Sequence, residues 1–345
     1  MIKIQNERRL GVLGFGEVML RLSPPGKERI SFSEIFEKNV AGSELNVVSG
    51  ISMLGIPSGI ITSLPKSEIG KFVRQKIKYF GANDDYAIID DSPSARLGIY
   101  YYENGAHPRP SIVSYDRLGS SFSDLTLNNL PDDVYDQTKI FHTSGITLGL
   151  GDKIRQTALQ AVESFAKTKT LISFDVNYRE ALWSEEEARE KIKTFLPLVN
   201  ILFVSEETSR RMFKMNGSLC EIHKEYAEFY PNLEIIASTK RKVTSQSKHS
   251  FSSLIYDCKT KEFYEENPYE DIDVVDRVGS GDAYVAGVLY GLIKHSDIER
   301  AARYGNAMAT FKSTVSGDIS KCDICDIERI IRRHSRPFQN SEMIR

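Results

Sequence analysis

Four cysteines in 345 residues (Cys220, Cys258, Cys322 and Cys325) are too few and too scattered to staple this chain with disulfides. Cys322-Asp-Ile-Cys325 has C-x-x-C spacing, but no second pair or neighbouring histidine completes a zinc site. The segment reads instead as the opening of a C-terminal helix running from Asp323 to His334, with reduced thiols on or near it. No apolar run approaches the ~18–20 residues that cross a bilayer. The opening Met1-Ile-Lys-Ile-Gln-Asn-Glu-Arg-Arg9 lacks the apolar core of a secretory signal, so a cytosolic protein that meets no membrane is the expectation. An excess of one charge is missing too. Forty-five basic against 47 acidic residues leave a net −2, which gives no electrostatic case for nucleic acid as a partner. Arg332, Arg333 and His334 sit where cations favour a helix C-terminus. Internal repeats, low-complexity linkers and long charge blocks are absent. So is a Walker-type phosphate loop, since Gly70-Lys71 is followed by Phe72.

What is present is a strand–helix rhythm. β-branched runs at 11–18, 59–63, 139–143, 171–175, 201–204 and 234–238 alternate with amphipathic stretches at 43–54, 67–80, 152–167, 184–196 and 206–213. Such alternation predicts a mostly parallel α/β sheet covered on both faces, with its site at the carboxyl ends of the strands. Two stretches break the rhythm. Residues 19–40 and 95–117 are β-like with no helix between the segments, and read as a small β lid inserted in a single domain of 1–335. Residues 336–345 read as a C-terminal tail, and 243–263 as a β hairpin or meander. The apolar edge of the lid predicts pairing of two copies in a homodimer or higher homo-oligomer.

Gly14-Phe-Gly16 follows a strand but does not complete a dinucleotide fingerprint, because Met19 stands where a third glycine belongs and the chain continues as β. An oxidoreductase is therefore the weakest reading. The strongest constellation is Val274-Val-Asp-Arg-Val-Gly279-Ser280-Gly281-Asp282-Ala-Tyr-Val-Ala-Gly, an apolar run entering a glycine turn that opens a helix. Amides at Gly279–Asp282 aligned with a helix dipole make a pocket for a phosphoryl group. A carboxylate there makes sense as a general base that takes the proton of an attacking hydroxyl. Asp282 or Ser280 as a simple helix cap is the competing reading, and spacing alone leaves both open. A second polar cluster, Asp175-Val-Asn177-Tyr-Arg179, stands just past a buried-type strand.

Gly-Ser-Gly-Asp with its following helix resembles the C-terminal signature of the ribokinase-like (phosphofructokinase-B) carbohydrate kinases, usually Gly-Ala-Gly-Asp. Ala41-Gly-Ser-Glu-Leu-Asn46, leading to Leu54-Gly55, resembles the N-terminal signature. The likeness runs from about Gly11 to Ile319. Within the family, Gly14–Pro25, Phe141–Thr147, Asp175–Trp183 and Thr314–Asp318 are most similar to the kinases of 2-keto-3-deoxygluconate. The resemblance implies a ribokinase-like three-layer sandwich and phosphorylation of a sugar acid by ATP carried with Mg2+. It leaves a monovalent-cation requirement open. It also implies that Gly42, Ser43, Asn46, Tyr100, Tyr115, Arg117, Arg179 and Asp318 meet the sugar acid. Asn177, Ser205, Thr239, Lys240 and Asn306 would lie along the nucleotide. Asp282 would be the base, with Gly279, Ser280 and Gly281 forming the anion hole. Arginine's fork suits the carboxylate of a 2-keto acid.

The departures bear on the site. Ala41 replaces the usual first glycine, which would tighten the sugar loop. Ser205-Glu-Glu-Thr208 replaces the family's Asn-x-x-Glu near magnesium, so no side chain is assigned to the metal. The nucleotide loop Ser238-Thr-Lys-Arg-Lys-Val lacks its usual glycines. Rival readings are a kinase of the same fold for fructose or 2-keto-3-deoxygalactonate, and a catalytically idle sugar-acid sensor.

Overall fold

Alternating apolar residues on the central strands feed two separate cores. The computed structural model describes residues 2–5, 7–245 and 247–335, so the expected tail at 336–345 lies outside the described residues. The chain opens with β1 (Leu10–Phe15), β2 (Met19–Ser23), β3 (Glu37–Ala41) and α1 (Ser43–Met53). It continues through β4 (Ser58–Pro65), α2 (Glu68–Tyr79), β5 (Ala87–Asp90), β6 (Gly98–Glu103) and β7 (Ile112–Asp116). Then come β8 (Thr138–Ser144), α3 (Gly145–Leu148), α4 (Asp152–Lys167), β9 (Leu171–Asp175), α5 (Glu185–Phe195), β10 (Ile201–Phe203) and α6 (Glu206–Arg211). The last third holds α7 (Leu219–Phe229), β11 (Ile235–Ser245), β12 (Lys248–Asp257), β13 (Glu262–Glu265) and β14 (Tyr269–Asp273). It ends with α8 (Ser280–His295), α9 (Ile298–Ser313) and α10 (Ile324–His334).

The main sheet has the order β13-β12-β11-β10-β9-β8-β1-β4-β5, with β14 beside β12. From β11 to β5 every pair is parallel, and the antiparallel β12, β13 and β14 finish one edge. The period-two rule sorts the faces. Ile235 and Ala237 of β11 join the core with α1, α2, α8 and α9, while Ile236 joins the core with α4, α5 and α7. β10 divides the same way, Ile201 and Phe203 against Leu202. Four further strands, in the order β3-β2-β6-β7, form a separate small sheet over the carboxyl ends, matching the expected lid.

Most of the expected elements appear within a few residues of their expected bounds. The strand expected at 11–18 ends at Phe15, because the chain leaves the main sheet at Gly16-Glu17-Val18 and enters the lid at Met19. The strand expected at 234–238 runs on to Ser245 as an exposed ribbon paired with β12. Sequence reading missed α7 and α9, although α7 buries Leu219, Ile222, His223 and Tyr226 at i, i+3, i+4 and i+7. α9 is buried almost all round, so it carries no 3.6-residue polar face.

Six helices carry a side-chain cap, while α1, α3, α4 and α8 do not. Ser67, Ser184, Ser205, Ser218, Asp297 and Asp323 each cap the helix that follows by accepting a backbone N–H. α1 and α8 follow Gly42 and Gly279 and have no side-chain cap, which leaves their first amides to another acceptor.

Candidate active site

The carboxyl ends of β1, β8, β9, β10 and β11 meet the N-termini of α1 and α8 beneath the lid. Gly279 makes the turn into α8 with φ +81°, and a Cβ there would lie 2.0 Å from the carbonyl oxygen of Asp318, so only glycine fits. At Gly42 a Cβ would lie 2.4 Å from the Glu17 carbonyl. Ala41, by contrast, ends β3 without a positive φ, so the missing first glycine does not disturb the loop. In the expected anion turn the Ser280 N–H is spent on the Arg277 carbonyl at 3.2 Å. Open space surrounds the Gly281 Cα, with no atom within 4 Å of a Cβ built there.

Asp282 is buried at the first turn of α8. Its Oδ1 accepts from Ser43 Oγ at 2.7 Å and its Oδ2 from Asn46 Nδ2 at 2.7 Å. Asn177, at φ +33°, donates Nδ2 to Ser43 Oγ at 3.0 Å. Thus α1, α8 and the loop after β9 are pinned by one hydrogen-bonded chain. Asn46 Oδ1 is buried with no partner among the described residues. Burial pushes the Asp282 pKa above its usual 3.8, against the pull of Asn46, Ser43 and Arg179. Burial and the Asp282 charge lift Asp175 to about 7. Glu44 reaches about 7 through burial, with Ser144 and Thr147 donating to its Oε1 at 2.7 and 2.8 Å. Asp282, Asp175 and Glu44 thus place three carboxylates near one another.

The lid carries two cations, both committed to other carboxylates. Arg21 of β2 donates to Asp318 at 2.6 Å and to Asp276 at 2.7 Å, all three buried. Tyr100 gives its hydroxyl to Asp318 at 2.5 Å. Arg117 donates to buried Glu17, through Nε at 2.8 Å, and Ser120 bonds the same carboxylate. Its charge is therefore compensated. Arg179 is exposed and its Nη1 donates to the Tyr178 carbonyl at 3.0 Å. All eight expected sugar residues (Gly42, Ser43, Asn46, Tyr100, Tyr115, Arg117, Arg179 and Asp318) line one cavity of about 110 Å³ together with Asp282 and Gly279. Sequence reading missed Glu17, Arg21, Glu44 and Asp276. Glu44 stands inside the 41–46 motif and Glu17 and Arg21 inside the 14–25 segment, so all three could have been found there.

A cleft of about 750 Å³ adjoins that cavity, and Asp282, Gly279, Asn177 and Arg179 line both. Ser205, Thr239, Lys240, Ser280 and Gly281 line the cleft as expected for the nucleotide. Asn306 does not line it; this asparagine is fully buried and gives Nδ2 to Glu266 at 3.0 Å. Lys240 is paired with Glu265 at 2.6 Å. Ser205 donates its hydroxyl to Thr208 at 2.8 Å while capping α6, so the two substituted positions satisfy each other. Among the described residues no three His, Cys, Asp or Glu side chains converge as a metal cage.

Comparison with known proteins gives consistent matches. A family model for pfkB family carbohydrate kinases matches residues 11–325. A 2-dehydro-3-deoxygalactonokinase from Haloferax volcanii is 33% identical over 318 residues, 92% of this chain and 95% of that protein. The structure of 2-dehydro-3-deoxygluconokinase from Thermotoga maritima matches with a TM-score of 0.88 at 30% identity, covering 94% of this chain and 99% of that one. A structure assigned as a ribokinase II from E. coli, solved with ATP and Mg2+, shares the fold with a TM-score of 0.79 at 18% identity, covering 94% and 100% of the two chains.

Proposed function

The chain belongs to the pfkB family of carbohydrate kinases, and from that premise we propose that it transfers the γ-phosphoryl group of ATP to the terminal hydroxyl of 2-keto-3-deoxygluconate. The observation that carries this reading is the position of Asp282: buried, at an uncapped helix N-terminus, on the wall shared by the small cavity and the large cleft. The sugar occupies the cavity and the nucleotide the cleft. Asp282 takes the hydroxyl proton, the sugar oxygen bonds to the γ-phosphorus, and the bond from that phosphorus to the β,γ-bridging oxygen breaks, releasing ADP. The Gly281 and Asp282 amides opening α8 would donate to the transferring group, the Ser280 N–H being spent on Arg277. Magnesium carried on the nucleotide would neutralise the phosphates, and Asp175, which lines the cleft beside Asp282, is a carboxylate that would face it. The orphaned Asn46 Oδ1 offers an acceptor to a sugar hydroxyl.

Arg179 supports an acidic sugar. It lines both spaces and, unlike Arg117 and Arg21, has no carboxylate within hydrogen-bonding reach among the described residues. The C4 epimer, 2-keto-3-deoxygalactonate, is the second reading, favoured by the name of the Haloferax relative. A coupled ADP-release assay over both acids and neutral ketoses tests the proposal. Arg179→Ala should lower kcat/KM for the acids by roughly tenfold to a hundredfold, the worth of one charge-assisted hydrogen bond. Its effect on residual fructose activity should be small. Equal losses on acid and neutral substrates would sink the sugar-acid assignment and leave a kinase of unspecified sugar.

A further inference from the structure

Lys312, near the end of α9, is fully buried, yet no step of phosphoryl transfer uses it. Its ammonium donates to two backbone carbonyls, Asp276 at 2.9 Å and Val315 at 3.2 Å. The Asp276 carboxylate is committed elsewhere, Oδ1 to the Val278 N–H and Oδ2 to Arg21 and the Gly317 N–H. An unpaired ammonium is an expensive thing to bury where an apolar side chain of equal length would pack. Burial pulls the Lys312 pKa down to about 8, against the opposing pull of Asp276 and Asp318, so the group keeps its charge near neutrality.

Its two carbonyls belong to the two walls of the catalytic turn. Asp276 stands three residues before Gly279 on the entering strand of chain. Val315 leads to Asp318, whose carbonyl packs directly on Gly279. The Val275 N–H to Ser313 carbonyl bond at 2.8 Å runs between the same two segments. Carbonyl dipoles pointed at one place repel each other unless a cation lies between them. An ammonium held by carbonyl oxygens is in the kind of coordination that a dehydrated K+ or NH4+ accepts.

We propose that Lys312 is a built-in monovalent cation: a positioning residue that ties Asp276 to Val315, fixes the Gly279–Asp282 turn, and frees the enzyme from any need for a dissolved monovalent cation. This deepens the kinase reading and rests on it. Removing the ammonium should cost kcat more than sugar KM, because the turn acts on the transferring group rather than on the sugar.

The test compares wild type, Lys312→Ala and Lys312→Met in buffers whose only monovalent cation is tetramethylammonium, K+ or NH4+. Wild-type kcat should be the same within about twofold in all three. Lys312→Ala should lose roughly 10–100-fold in tetramethylammonium, the usual consequence of leaving buried acceptors unpaired. K+ or NH4+, small enough for the vacated space, should restore much of that loss and raise the variant's Tm without raising that of the wild type. Lys312→Met, which refills the space with a thioether, should lose activity that neither cation restores. A wild type that depends on K+, a Lys312→Met enzyme with wild-type kcat, or a folded Lys312→Ala enzyme that responds to neither cation would overturn the proposal. If Lys312→Ala fails to fold, the wild type and Lys312→Met decide alone. The cation-dependent Tm needs no sugar, so it reads this proposal separately from the choice of substrate.

Discussion

Replacing Asp282 by asparagine separates the base from the cap. Asparagine caps a helix about as well as aspartate, so α8 should survive. Oδ1 of the new side chain can still accept from Asn46 Nδ2, which now holds Asp282 at 2.7 Å. Its amide then faces Ser43 Oγ, which already accepts from Asn177 Nδ2. The swap therefore weakens one charge-assisted hydrogen bond, about 1.5–3 kcal/mol. It also removes a buried charge that raises both Asp175 and Glu44, which offsets part of that cost. Stability should change little. The rate should not escape so lightly. A general base contributes typically 10²–10⁴ in rate, about 3–5 kcal/mol of barrier. The assay is kcat by coupled ADP release at saturating substrates, with nucleotide affinity by calorimetry and Tm by scanning fluorimetry. Wild-type kcat should fall on the acid side with a pKa above the ordinary aspartate value, as the direction of the Asp282 shift requires, and the residual activity of the variant should lack that limb. Asp282→Asn with unchanged Tm and turnover within tenfold of wild type would refute the reasoning and leave Asp282 as a cap.

Glu44 gives a stability test. Its folded pKa of about 7 stands above the usual 4.5, so the folded state binds the proton more tightly than the unfolded state, and stability is lost as pH rises from about 4.5 through about 7. Glu44→Gln keeps an acceptor for Ser144 and Thr147 but cannot ionise, so it should stabilise more at pH 8 than at pH 5, by at most about 3 kcal/mol; equal Tm shifts at both pH values would remove the argument. The lid gives an assembly test. Tyr100 is turned inward and Val113 and Tyr115 of the edge strand β7 line the small cavity, but Ile112, on the other face of β7, is 45% exposed, and this edge should pair two copies into a homodimer. Light scattering that finds only monomer at micromolar concentration would rule this out, and Ile112→Lys should shift a dimer towards monomer.

The sequence by itself determined whatever depends on neighbours along the chain. β-branched runs of period two placed the parallel strands, and their carboxyl ends located the site. Gly279-Ser-Gly-Asp282 announced a glycine turn opening a helix, while the choice between a capped and an uncapped start waited for the structure, which shows no side-chain cap. Gly42, Ser43, Asn46, Arg179 and Asp318 of the small cavity stood in local motifs, whereas Tyr100, Tyr115 and Arg117 came only from the family resemblance. Tertiary structure alone decided the partners. Ser43 lies 239 residues from Asp282, and Arg21 lies 297 residues from Asp318; no spacing rule connects such pairs. Only packing revealed that Arg117 spends its charge on Glu17, that Asn306 turns to Glu266, and that Lys312 serves two carbonyls rather than solvent. A charged residue reads as surface in sequence because its burial is expensive; only the fold brings together the carbonyls and carboxylates that offset that expense.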